Sequence, residues 1–148
     1  MIDLVGLDPA LHEGLIGLAT SMRANGYQRH DPVREIPALL GDRWTTLILL
    51  ALHIGPFRHA ELLRAITRLS AGAEGKISQR ILTAKLRVLE RDGFVVRTAT
   101  TDVPPRVSYA LTPLGSALVE QIRALQAWVF ANRDAIESAR QSFDSGNS

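Results

Sequence analysis

Apolar positions along the chain recur at two spacings, and the switch between them locates its elements. Leu11, Leu15, Leu18 and Met22 follow one another by four, three and four residues, the stripe of an amphipathic helix. Asp8 is placed to cap it with Pro9 at its first position, and Asn25-Gly26 to end it. A second short helix is predicted over about Val33–Leu40, its start limited by Pro32 and Pro37. "RWTTLILLALHIG" is apolar nearly all round, which predicts a central buried helix ended by Gly55-Pro56. "RHAELLRAIT" suits another short amphipathic helix, and "RLSAGAEGK" breaks it with small, flexible residues. In "ISQRILTAKLRVLERDG" the helical period returns, with Ser78 as N-cap and Gly93 as the stop. Then the period falls to two. "FVVRTAT" and "RVSYALT" are β-branched and aromatic runs divided by "TDVPP", a β-hairpin in which Val107, Tyr109 and Leu111 share a face. Thr112-Pro113 caps a long last helix carrying Leu118, Ile122, Leu125 and Val129, and "SFDSGNS" reads as a frayed tail.

The helix over 78–91 has an unusual outward face. At about 100° per residue, Leu82, Leu86 and Leu89 fall in one narrow sector, which must be buried. Arg80, Arg87 and Arg91 lie nearly opposite, with the small residues Thr83 and Ala84 beside them. Small residues allow close approach to a grooved surface, and arginine supplies forked donors for phosphate oxygens and for the guanine edge. Glu90 and Asp92 flank the stripe and can pair with it locally, as on any solvated face.

Composition adds one asymmetry. The net charge of the 148 residues is only +2. Residues 1–57 hold four Arg against six acids, and residues 107–148 hold three Arg against four acids. Residues 58–106 hold ten Lys and Arg against five acids, so the positive excess lies wholly in the middle third. That distribution suits a polyanionic partner, although charge alone fits a merely basic surface equally well. The length fits one domain with a helical appendage, and 46% apolar residues can fill a core. No run reaches the ~18 apolar residues of a membrane span. The opening "MIDLVGLDPALHEG" lacks the basic start of a secretory signal and carries three acids. With no cysteine there is no disulfide and no thiol chemistry. The expectation is a soluble, cytoplasmic protein.

A short helix, a Gly-bearing turn, a second helix and a hairpin form, in that order, a winged helix-turn-helix. The fold class expected is therefore mainly α with a small β-hairpin (α+β). In such a module the second helix enters the major groove by its N-terminal half, here Ser78, Gln79, Arg80, Thr83 and Ala84. The wing, residues 98–107, brings Arg106 to phosphate or to a narrow minor groove on the flank. "GDRW" at 41–44, "LILLAL" at 47–52, "RHAEL" at 58–62 and Ile77-Ser78, Arg80, Leu82-Thr83 and Leu86 come in sequence. "LERDGFVVR" at 89–97, "VPPRVSYALTPLG" at 103–115 and Trp128 complete the series. Over roughly residues 31–130 the chain resembles the HxlR-type winged helix-turn-helix regulators, relatives of the MarR-type repressors. That resemblance implies a homodimeric bacterial transcriptional regulator, with repression the favoured outcome, on a pseudo-palindromic operator in double-stranded DNA. It also implies a phosphate contact for Arg58 and core roles for Trp44, Leu62, Leu86, Leu89, Tyr109 and Leu111.

Three departures stand out. Many members carry a cysteine before a proline near the domain start, where this chain has Asp31-Pro32. The aromatic residue that usually follows Arg58 is His59, and "TRLSAGAEGK" is longer than the usual turn, which can shift the reading helix or add a flexible element near DNA. The organisation expected is a helical extension over 1–30, a DNA-binding domain over 31–112, a dimerisation helix over 113–140 and a flexible tail over 141–148. The Leu11, Leu15, Leu18 and Met22 stripe either folds back on its own domain or, as we prefer, packs across a two-fold axis with Leu118, Ile122, Leu125 and Trp128. A small apolar effector is compatible with such a dimer, but no residue demands one.

Enzyme chemistry finds little support. His12, His30, His53 and His59 lack HxxxH or HExxH spacing, and no cysteine completes a metal site. "SAGAEGKIS" has the wrong glycine spacing for a phosphate loop, and no catalytic set, metal or cofactor is expected. The competing reading is a winged helix used for protein contact alone, against which Arg80, Arg87, Arg91 and Arg106 weigh.

Overall fold

The structure is a computed structural model that describes residues 1–70 and 75–147. It divides into two units, Met1–Asp42 and Arg43–Ser148. The boundary falls between Asp42 and Arg43 rather than at residue 30, so the second short helix groups with the N-terminal segment. In that first unit, Asp8 accepts a hydrogen bond from the Ala10 N–H (2.9 Å) and starts a 3-10 turn, Pro9–Leu11. Helix α1 (His12–Ala24) follows, then α2 (Pro32–Leu40), capped by Asp31 on the Val33 N–H. Neither helix has a buried residue, and Leu11 and Leu18 are exposed.

The second unit contains α3 (Arg43–Ile54), β1 (Phe57–Arg58), α4 (His59–Leu69), α5 (Gln79–Arg91), β2 (Val95–Ala99), β3 (Val107–Leu111), α6 (Pro113–Ala131) and α7 (Arg133–Gly146). Its centre is α3, whose Trp44, Thr45, Ile48, Leu49, Ala51 and Leu52 are all buried. Leu62 and Ile66 of α4, Leu82, Leu86 and Leu89 of α5, and Val119 of α6 close around them. Each fully buried leucine or isoleucine is worth about 1.5–3 kcal/mol of transfer free energy, so these side chains decide where the helices sit.

The sheet has three strands, where the period-two runs predict only a hairpin. Its order is β1-β3-β2, all antiparallel, with Phe57 opposite Tyr109 and Arg97 opposite Tyr109 on the other side. Two residues after Gly55-Pro56 are too few to show a period, and β1 exists because β3 offers it an edge. Gly93 adopts φ +83°, which a side chain would disfavour, and lets the Phe94 N–H reach back to Leu89 O at 2.9 Å. The chain leaves α5 there and turns directly into β2.

Two corrections concern the C-terminal end. Helix α7 runs to Gly146, through residues read from composition as a frayed tail. Asn132 divides it from α6 instead of ending the helical region, and an Arg133–Glu137 ion pair (3.0 Å) braces its first turns. Ile122, assigned to a dimer surface, is only 5% exposed within the chain itself, because the first half of α6 packs on α3. The centre of the long turn before α5, residues 71–74, lies outside the described residues, and with it the expectation of a flexible element there.

Candidate nucleic-acid interface

The candidate surface begins at Ser78. Its hydroxyl accepts from the Ile81 N–H at 3.1 Å, fixing where α5 starts and hence which side chains turn outward. With Leu82, Leu86 and Leu89 held in the core, Gln79, Arg80, Ala84 and Arg87 are exposed and Thr83 is half-buried. These five residues line one open concavity together with His59, the first residue of α4. Helix-turn-helix geometry is thus met by side chains: the first helix supplies the wall and the second the floor.

Electrostatics favour an anion there. Among the described residues no acid forms an ion pair with Arg80 or Arg87. Arg91 behaves differently, because its Nε donates to Asp92 Oδ1 at 2.9 Å, the local pairing that the flanking acids allow. It sits at the far end of α5, outside the concavity. A second, smaller depression is lined by Thr83, Arg87, Glu90, Arg97 and Tyr109. Arg97, on β2, was not singled out in the sequence. Its place beside Arg87 follows from strand register, which a run of alternating residues does not reveal until its partner is known.

The wing is closed by two hydrogen bonds between Thr100 and Arg106. Thr100 N–H donates to Arg106 O, and Arg106 N–H donates to Thr100 Oγ1, both at 2.9 Å. The tip between them is exposed throughout, Arg106 included. Arg58, in β1, is exposed too, and its N–H donates to Glu61 Oε2 (3.0 Å) at the start of α4. No group of three or more His, Cys, Asp or Glu that can hold a metal exists among the described residues. Likewise, no helix is long and apolar enough to cross a membrane.

The expected dimer residues are distributed unevenly. Leu118 is half-buried and Ile122 buried in the chain's own core, whereas Leu125 and Trp128 are 62% and 60% exposed. Phe130, at 78%, and Phe143, at 70%, extend this apolar exposure and were not picked out by the spacing. Leu125, Val129, Phe130 and Ile136 share a groove between α6 and α7 with Arg133, Glu137 and Arg140.

A helix whose Arg80 and Arg87 are left without an acidic partner, a shorter helix before it and a β-hairpin wing after it, joined by the short β1, define a winged helix-turn-helix. Comparison with known proteins then gives the family: a model described as HxlR-like helix-turn-helix matches residues 39–137, and the chain belongs to that family. It is 37% identical over 116 residues to YtfH of Escherichia coli (strain K12), described as an uncharacterized HTH-type transcriptional regulator, covering 78% of this chain and 86% of that one. The structure of ytfH from Salmonella typhimurium superposes with a TM-score of 0.59 at 34% identity, covering 78% of this chain and 96% of that one. The reduced form of the transcriptional regulator YodB from B. subtilis gives 0.56 at 31% identity, covering 69% and 92%. The family is one of DNA-binding transcriptional regulators, not of enzymes.

Proposed function

We propose that this regulator reads a pseudo-palindromic operator as a homodimer and represses transcription from it. In each copy α5 lies in the major groove with Ser78, Gln79, Arg80, Thr83, Ala84 and Arg87 toward the bases, and Arg91 at the margin. Arg58, Arg97 and Arg106 contact phosphates, the last from the wing on the flank. The observation that carries this reading is the pair Arg80 and Arg87, left without an acidic partner on the face opposite the leucines. Three buried leucines and a serine cap hold them there, and a guanidinium so placed can fork onto guanine O6 and N7.

Self-association is supported by the exposed apolar side chains of α6 and α7. Leu125, Val129 and Phe130 are exposed along one groove between α6 and α7, and Trp128 is exposed on α6 as well. The stripe of Leu11, at the end of the 3-10 turn, and Leu15, Leu18 and Met22 of α1 is a second apolar face that a symmetric pair would cover. Ile122 takes no part. Repression follows from occupancy: a dimer spanning two half-sites excludes polymerase from the same DNA. Because the chain has no cysteine, any control of its binding works without a thiol.

Nuclease footprinting on the DNA upstream of its own gene tests the reading. Two protected half-sites about one helical turn apart are expected. A log–log salt slope of about −0.9 per phosphate neutralised should accompany them. An affinity for duplex indifferent to salt would favour the protein-contact reading instead, and a reporter activated by the protein would overturn repression alone.

A further inference from the structure

His59, the first residue of α4, reaches the neighbouring helix and strand through its imidazole. Its Nε2 lies 2.9 Å from Thr83 Oγ1, joining α4 to α5 across 24 residues of sequence. Its ring also meets Tyr109 of β3, centroids 6.3 Å apart and planes inclined at 58°. One side of the imidazole is therefore packed, and one nitrogen is committed to a hydroxyl on the floor of the reading concavity.

Thr83 differs from Thr20 and Thr67. Thr20 Oγ1 donates to Ile16 O and Thr67 Oγ1 to Leu63 O, both at 2.8 Å, the ordinary way a helical threonine satisfies its hydroxyl on its own backbone. Thr83 has the same opportunity at the carbonyl of Gln79 and does not take it; its oxygen is turned to His59 instead. A hydroxyl has one hydrogen and two lone pairs. With one of these held by His59, the rest is presented in a fixed direction beside Gln79, Arg80, Ala84 and Arg87.

We propose that His59 is a positioning residue for sequence recognition: it holds the Thr83 hydroxyl off its own helix and aims it at one base edge in the major groove. The ligand is a hydrogen-bonding base edge, and Thr83 makes the contact. This rests on α5 being the reading helix. Phenylalanine in its place can pack on Tyr109 but cannot hold Thr83. The hydroxyl then returns to the Gln79 carbonyl and the base preference is lost, while Arg80 and Arg87 continue to bind.

The test is selection from a random-sequence DNA duplex pool on the full chain, followed by sequencing, for the wild type and for His59→Phe, Thr83→Val, His59→Gln and the double variant His59→Phe/Thr83→Val. His59→Phe and Thr83→Val should each flatten the preference about three- to tenfold at the same single position of each half-site, and at no other. The double variant should flatten it no further, and glutamine, whose amide nitrogen reaches about as far as Nε2, should restore much of it. An unchanged motif in His59→Phe overturns the proposal, as does a loss spread evenly over every position, which is what a merely structural histidine would give. A wild-type chain that enriches no motif at all defeats the underlying assignment of α5 instead.

Discussion

Arg80 and Arg87 owe their exposure to the leucines behind them, and single substitutions separate the two roles. Arg80→Ala should weaken operator binding by about 1–3 kcal/mol and relax one position of the site, whereas Arg106→Ala should weaken all duplexes more evenly. Competition titrations with specific and random duplexes distinguish these outcomes. Gly115 is a different kind of residue, buried at the start of α6. A Cβ there would collide with the Phe94 carbonyl, whose oxygen also accepts from the Thr112 N–H at 3.0 Å. Because that obstacle is backbone, Gly115→Ala should cost at least about 2–3 kcal/mol in chemical denaturation. The need for glycine arises from the approach of α6 to Phe94, 21 positions earlier, so nothing in the run "TPLG" announces it. The His59–Thr83 bond was hidden for the same reason.

At the scale of elements, the caps and stripes were legible because they are local. Ser78 and Thr112 do what their side chains allow: Thr112 Oγ1 accepts from the Gly115 N–H at 3.0 Å and donates to Gly93 O. The spacing of Leu82, Leu86 and Leu89 alone predicts the buried side of α5, and from it the face carrying Arg80 and Arg87. What depends on a distant partner was not legible. Strand β1 is two residues long and paired to Tyr109, and α6 has a core-facing first half and an exposed second half within one continuous apolar pattern. The Ser78 cap also makes a direct prediction. Ser78→Ala should lower stability by about 1 kcal/mol, read from the thermal midpoint. Because the cap stands at the end of α5 proposed to meet the bases, operator affinity should fall further than binding to random duplex.

For the whole molecule, charge and apolar exposure lie in different places. The basic excess is confined to residues 58–106, which supply α4, α5 and the wing, while Leu125, Trp128 and Phe130 belong to α6. DNA binding and self-association should therefore respond to different substitutions. Leu125→Glu combined with Phe130→Glu is expected to yield monomers by sedimentation at micromolar concentration with the fold intact by circular dichroism. Operator affinity should fall with the loss of the second half-site, while binding to random duplex per chain changes little. A wild-type monomer under the same conditions would exclude the α6–α7 patch as the seam.

Strand β3 ends at Leu111 and α6 begins at Pro113, leaving Thr112 as the sole link, and Thr112 is itself tied to Gly93 and Gly115. There is no slack in that joint. A shift of the first turn of α6 therefore carries the end of β3 with it, because no spacer lies between the wing and that helix.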